Sequence, residues 1–304
     1  MINHLRSSEY VITFIIILPF RSIIFEQMSQ IVLINGERQN TISVFNRNMQ
    51  YGDGLFETCV AMDNQILFWP RHFSRLEIGC EKLNINKTDE GVWLSDIKKA
   101  FELSPRKNCI VKLILSRGDS LRGYGYKDDI ESVRVVIISE MNQSSIKKEF
   151  SLEYAKSGYH SNPQLAGIKH CNRLEQILAR SNLTSNEAIM LDEKENIISV
   201  TQGNIYFIFG NKLLTPKLDR CGVVGSRRSL ILELAMSLKM DALESNISIN
   251  QAQKADEVFI SNSVIGIQPV HVIETHKLGK NPLTEKIRKA FLSKTKEISS
   301  WTCP

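Results

Sequence analysis

Apolar and polar positions along the chain change period several times, so strands and helices are interspersed. Residues 31–35 and 41–45 alternate as strands do and flank Asn35-Gly36, a pair that favours a tight turn. Pro70 opens a helix, with Phe73, Leu76, Cys80 and Leu83 at helical spacing. A polar turn at 105–108 leads into a β-rich run over 109–116, and 132–139 is another apolar strand. Residues 140–148 are polar and read as a linker. Beyond it the pattern predicts strands over 149–155, 187–192, 197–200, 205–209, 257–261 and 268–273, with a turn at 193–196. It predicts helices over 172–182, 227–239 and 282–298. There is no internal repeat and no low-complexity tract. The expected fold is α+β in two domains, a smaller one over 28–142 and a larger one over 143–304. Pockets commonly lie in such seams.

Residues 1–27 do not share this pattern. The apolar run at 10–20 is interrupted by Pro19 and is shorter than the ~20 residues a spanning helix needs. Arg6 offers only a thin basic region before it, Arg21 follows at once, and no A-x-A-like cleavage site appears. The soluble pattern starts after Met28. We expect 1–27 to be an extension outside the fold, upstream of the true start, with an anchoring or targeting segment as the alternative.

Composition narrows the class. Of 304 residues, 42% are hydrophobic and 23% charged, which excludes a disordered chain. The net charge of +5 comes without a dense Lys/Arg block, so no nucleic-acid groove is indicated and a small anionic partner is equally well served. The six cysteines form no C-x-x-C pair and match no zinc spacing, so reduced thiols in a cytoplasmic protein and no metal are expected.

Several segments could carry chemistry. In 167–176, Gly-Ile-Lys-His-Cys-Asn-Arg-Leu-Glu-Gln, Lys169 sits just before a helix. It is either a solvated lysine or, if buried, a nucleophile or Schiff-base former. Gly52-Asp53-Gly54 reads as a tight turn. His72 and Arg75 are i,i+3 neighbours, which makes either a solvated helix face or a guanidinium fixed to hold a phosphate. The glycine-containing turn 221–227 runs into a helix whose first N–H groups could receive an anion, and Ser261-Asn262-Ser263 follows a strand.

Taken in order, YGDGLFET, HFSRL, GIKHCNRLEQ, GNIYF, CGVVGSRR and ISNSVIGIQPV resemble the fold-type-IV pyridoxal-phosphate enzymes, from Met28 to the C-terminus. Within that family the pattern looks most like the aminodeoxychorismate lyases. The resemblance implies a two-domain fold with pyridoxal 5'-phosphate between the domains, and a homodimer. It implies conversion of aminodeoxychorismate to p-aminobenzoate and pyruvate in folate biosynthesis. A D-amino-acid or branched-chain aminotransferase is the alternative, and a cofactor-binding protein with impaired turnover is a third. By the same matches Lys169 would carry the cofactor. Arg75, the N–H groups of Ser226 and Arg227, and the Ser263 hydroxyl would hold its phosphate. Arg122 and Tyr124, in the 117–124 loop, would face the substrate. The chain departs from the family at one place. Where a glutamate usually stands before the N-[LIV]-[FY] motif, here begun by Asn204, this sequence has Ser199. A hydroxyl cannot hold a protonated ring nitrogen by charge.

Overall fold

The computed structural model describes residues 30–141 and 149–304. The extension 1–27 lies outside the described residues. So do the expected domain seam near residue 142 and most of the expected linker.

The expected α+β class holds, built on three sheets. The first has seven antiparallel strands in the spatial order Trp301–Thr302, Gln65–Leu67, Gly54–Met62, Cys109–Ser116, Val133–Glu140, Ile31–Ile34 and Glu37–Arg38. Helices Trp69–Leu83 and Glu90–Leu103 pack on it through a core that includes Leu76, Cys80, Trp93 and Ile97. The second sheet has five strands, ordered Asp241–Ser245, Lys212–Pro216, Asn204–Phe209, Glu257–Asn262 and Gly266–Val270. Helices Arg228–Ser237 and Pro282–Thr295 contribute Ile231, Leu234, Ile287 and Phe291 to the core beside it. The third sheet, ordered His276–Lys277, Val272–Ile273, Ser151–Tyr154, Glu187–Leu191 and Ile197–Val200, pairs in parallel around its central strand. The halves are not sealed off from each other. Val60, Leu67 and Phe68 of the first share one core with Tyr206, Ile231 and Phe291 of the second. The C-terminal strand returns to the edge of the first sheet, pairing Trp301 with Leu67.

Several elements differ from the sequence reading. The alternating 41–45 forms no strand, because Ser43 turns the chain instead: its Oγ accepts the Phe45 N–H at 3.0 Å and its carbonyl the Asn46 N–H at 3.0 Å. Asn46 then caps a short helix, Arg47–Tyr51. The expected strand 268–273 is two strands in different sheets. Val270 ends one and Val272 begins the other, and between them the His271 N–H donates to the Phe150 carbonyl at 2.8 Å. The Gly52-Asp53-Gly54 turn is present, with Gly52 at φ +64° closing the short helix. It launches the nine-residue strand Gly54–Met62, which the turn reading left out.

Asp53 fixes that launch point. Its carboxylate accepts from Arg47 Nε at 2.8 Å and Arg117 Nε at 2.7 Å, and both arginines are buried. Burial acts to raise the Asp53 pKa, but Arg117 and Arg47 overcome it and hold the carboxyl below its ordinary value. Replacing Asp53 by Asn leaves two buried cations facing a neutral amide, and should cost about 3–5 kcal/mol of stability. The pH signature has a definite sign. The Asp53 contribution is complete above the ordinary carboxylate pKa of ~3.9 and is lost as pH falls through the lowered folded value. Denaturant titrations should therefore show wild type losing more stability in acid than Asp53→Asn. Equal slopes would mean the arginines find other partners.

Candidate active site

The strand Gly54–Met62 carries side chains to the seam between the halves. Its edge residues bond to the lysine segment: the Phe56 N–H donates to the Lys169 carbonyl at 3.0 Å and the Cys171 N–H to the Gly54 carbonyl at 2.8 Å. The other flank of the same segment is tied to the turn after Cys221. The Gly167 N–H donates to the Gly222 carbonyl and the Val224 N–H to the Gly167 carbonyl, both at 3.0 Å. Lys169 is thus held between the two halves, with its ammonium nitrogen 4.2 Å from the centre of the Phe56 ring. Burial, and then the field of Arg75, push the Lys169 pKa down to about 7. A lysine so placed is about half uncharged at neutrality, and the free amine is the form that attacks a carbonyl or accepts a proton.

Next to it lies a buried charge relay that the sequence did not disclose. Glu57 is 1% exposed and accepts two bonds from Arg75, at 2.7 and 2.6 Å. Its Oε2 also accepts from His72 Nδ1 at 2.6 Å. Burial alone would raise the Glu57 pKa, but Arg75 and His72 outweigh it and bring it to about 2. His72 goes the other way, to about 4, because its burial disfavours the imidazolium. The pair is therefore a carboxylate and a neutral imidazole with its proton on Nδ1, and Nε2 is left to accept from the Ser226 hydroxyl at 3.4 Å. The outer Arg75 nitrogen donates to the Val224 carbonyl at 2.9 Å. One carboxylate thereby aligns a helix of the first half with the glycine-containing turn of the second.

That turn is clamped by Asn204. Its Oδ1 accepts the Gly225 N–H at 3.0 Å and its Nδ2 donates to the Val223 carbonyl at 3.0 Å. A Cβ on Gly225 would sit 2.0 Å from Asn204 Oδ1, so the clamp requires glycine. The helix Arg228–Ser237 follows, and the first N–H groups of a helix have no intrahelical partner. Arg227, at its N-cap, is 2% exposed and lies 4.4 Å from the Phe68 ring. Burial lowers its pKa to about 10, still cationic at neutral pH.

Of these groups, Phe56, Arg75, Lys169, Asn204, Ser226 and Arg227 line one cavity of about 510 Å³, and Glu57 and His72 do not. Arg75, Lys169, Ser199, Ser226, Arg227 and Ser263 all reach it, as the sequence led us to expect. Arg122 and Tyr124 do not. Both lie exposed on the loop after Gly118, where the buried Arg47 donates to the carbonyls of Gly123, Tyr124 and Gly125. Ser199 Oγ donates to the Val200 carbonyl at 2.9 Å and so accepts from the buried Tyr159 hydroxyl at 3.0 Å. Glu193 and Glu195 stay in an exposed turn. The cavity wall contains no carboxylate at all, while Arg75, Lys169, Arg173, Arg180 and Arg227 contribute to it. A neutral reactive lysine, a helix N-terminus and fixed guanidinium groups around a cavity of this size suit an aldehyde cofactor that carries a phosphate.

The wider comparison agrees. The chain belongs to the class IV amino-transferases, whose family pattern it matches over residues 54–273, and which use pyridoxal phosphate. It is 28% identical to the aminodeoxychorismate lyase of Vibrio harveyi over 244 residues, covering 78% of this chain and 89% of that one. It is 23% identical to a D-alanine aminotransferase of Listeria monocytogenes over 279 residues, covering 86% and 94%. The crystal structure of 4-amino-4-deoxychorismate lyase from Pseudomonas aeruginosa superposes with a TM-score of 0.82 at 30% identity, covering 86% of this chain and 98% of that one. The branched-chain aminotransferase of Escherichia coli superposes almost as well, with a TM-score of 0.81 at 18% identity over 89% and 98%. These solved folds bear out the fold-type-IV expectation.

The low Lys169 pKa gives a direct test. In protein freed of cofactor, acylation of Lys169 should be half-maximal near pH 7, the value to which burial and Arg75 push its pKa. Surface lysines in the same digest should respond near ~10.4. Peptide mass spectrometry reads both at once, and a Lys169 midpoint matching the surface lysines would remove the basis for its assignment.

Proposed function

We propose that this protein is a pyridoxal-phosphate-dependent lyase. It converts aminodeoxychorismate to p-aminobenzoate and pyruvate, a step toward folate. The observation that carries this reading is the contrast in likeness at constant fold: 30% identity to a lyase structure against 18% to an aminotransferase structure, at TM-scores of 0.82 and 0.81. The acid-free cavity points the same way, because it suits a substrate with two carboxylates.

In this reading Lys169 holds the cofactor. Arg75, the Ser226 and Arg227 N–H groups and the Ser263 hydroxyl hold its phosphate. The cofactor supplies an electron sink for the carbon that bears the substrate amine. Lys169 Nζ, whose lowered pKa leaves a large share of it as free amine at neutrality, takes the proton from that carbon. The enolpyruvyl C–O bond breaks, pyruvate departs, and the ring becomes aromatic. Glu57 does not touch the reacting atoms and acts by holding Arg75 in register.

We further propose a cytoplasmic homodimer. Arg122 and Tyr124, exposed and away from their own cavity, then face substrate only from a second copy of the chain. Val44, Phe45, Met49 and Leu121, all large and exposed, supply apolar surface for such a contact. The direct test of the reaction is incubation of the holoprotein with aminodeoxychorismate while p-aminobenzoate and pyruvate are followed. An amino donor with a keto acid is the parallel assay, and turnover there alone would favour an aminotransferase.

Ser199 sharpens the choice. No acid in the cavity wall replaces the glutamate that the family resemblance leads one to expect, and a hydroxyl provides only a dipole. A weaker electron sink penalises transamination, which needs a longer-lived carbanion, more than an elimination driven by aromatisation. Ser199→Glu should therefore raise transamination relative to pyruvate release. The ratio of the two rates in wild type and variant measures this, and an unchanged ratio would show that Ser199 does not govern the choice.

A further inference from the structure

The cations of the cavity wall are not equally satisfied. Arg75 is paired with Glu57, and Arg180 with Glu187 at 2.8 Å. Lys169 holds the cofactor in the proposed reading, so its nitrogen is already engaged. Arg227 lies deep beside Phe68, at the turn that receives the phosphate. Arg173 is left. Its Nε donates to the His170 carbonyl at 2.7 Å, which fixes the guanidinium plane. One of its terminal nitrogens is buried without any hydrogen-bond partner, and no carboxylate among the described residues stands within ion-pair distance. A half-buried arginine with a fixed plane and an idle donor is set up for an anion that arrives from outside.

Its position bears on which anion. The Arg173 guanidinium lies 5.9 Å from the centre of the Phe56 ring and the Lys169 nitrogen 4.2 Å from the same point, so the two are within about 10 Å of each other on one cavity wall. Arg173 is therefore within reach of a substrate whose reacting carbon lies at Lys169. Gln176, one turn along the same helix face, also lines the cavity and continues this polar wall. Of the two carboxylates on the proposed substrate, one sits across the ring from the amine. The other belongs to the enolpyruvyl group, on the neighbouring carbon.

We propose that Arg173 is a specificity-determining residue that receives the enolpyruvyl carboxylate of the substrate. This rests on the lyase reading. A planar guanidinium can take that carboxylate through two parallel bonds. The contact keeps the departing group beside Lys169 while the C–O bond breaks. The electron pair of that bond stays on the leaving oxygen, and a proton taken up at the methylene carbon completes pyruvate. A substrate without this second carboxylate would leave the Arg173 donor unpaired, which is a cost against monocarboxylate amines.

Chorismate carries both carboxylates but no amine, and p-aminobenzoate carries only the ring carboxylate. Calorimetric titration of the holoprotein with each separates the two contacts without any turnover. Arg173→Gln should weaken chorismate by about tenfold to a hundredfold, the range of one lost charge-assisted interaction. It should leave p-aminobenzoate within about twofold, well inside the effect of any such bond. Arg173→Lys, which keeps the charge and loses the fork, should fall between and serves if the Gln variant does not fold. Unchanged chorismate affinity in either folded variant overturns the Arg173 assignment alone, as does equal weakening of both ligands. Wild-type holoprotein that neither binds chorismate nor releases pyruvate from aminodeoxychorismate overturns the lyase reading itself.

Discussion

The Glu57 carboxylate is the constraint on which the site depends. It is buried, it stays ionised, and it faces an arginine and a histidine from one helix. Removing a carboxylate from water is expensive unless its lone pairs are filled, and here three donors fill them. The consequence reaches past the first half of the molecule. Arg75, once fixed, bonds the Val224 carbonyl, and His72, once neutral, accepts from Ser226. The glycine-containing turn of the second half is therefore indexed to a strand of the first. A shift between the halves would break those contacts together, so the cavity is held at a defined width.

The same strand positions the reactive amine. Lys169 is bound through its backbone to Phe56 on one side, and its segment is bound to the turn at Gly222–Val224 on the other. Two independent ladders fix one residue, which leaves its side chain the only free part. Burial and neighbouring cations then lower its proton affinity. No dedicated base is needed beside it, because the environment already makes the amine available.

Much of this was legible in the sequence, and the reasons for the rest are specific. Lys169, Arg75, Ser226, Arg227 and Ser263 were recoverable because they sit in short segments whose glycines and helix starts constrain the backbone locally. The strand Ile197–Val200 matched residue for residue, since its apolar run is bounded by a turn and by a glycine-containing bend. Glu57 was not recoverable. A glutamate within an apolar strand signals burial only when its partners are known, and those lie on a helix that begins after Leu67. The failed strand at 41–45 has the opposite cause: its alternation is genuine, but Ser43 competes for the backbone and no neighbour offers a ladder. The placement of the loop bearing Arg122 and Tyr124 depends on Arg47, a residue remote in sequence that gathers the loop's carbonyls.

Charge placement distinguishes the cavity from the rest of the molecule. Elsewhere buried arginines meet carboxylates, as Arg47 and Arg117 meet Asp53, and the pairs are structural. Within the cavity wall the acids are withdrawn: Glu57 and Glu187 stand behind their arginines, and Ser199 is neutral. The wall is left with unmet positive charge, and its cost is offset only when anions enter. A phosphate at the turn and a carboxylate beside Lys169 would satisfy the two arginines that lack carboxylate partners, Arg227 and Arg173. On the lyase reading the cofactor phosphate answers Arg227 and the enolpyruvyl carboxylate answers Arg173, so with the cofactor in place the remaining selectivity turns on whether a substrate presents a carboxylate at Arg173.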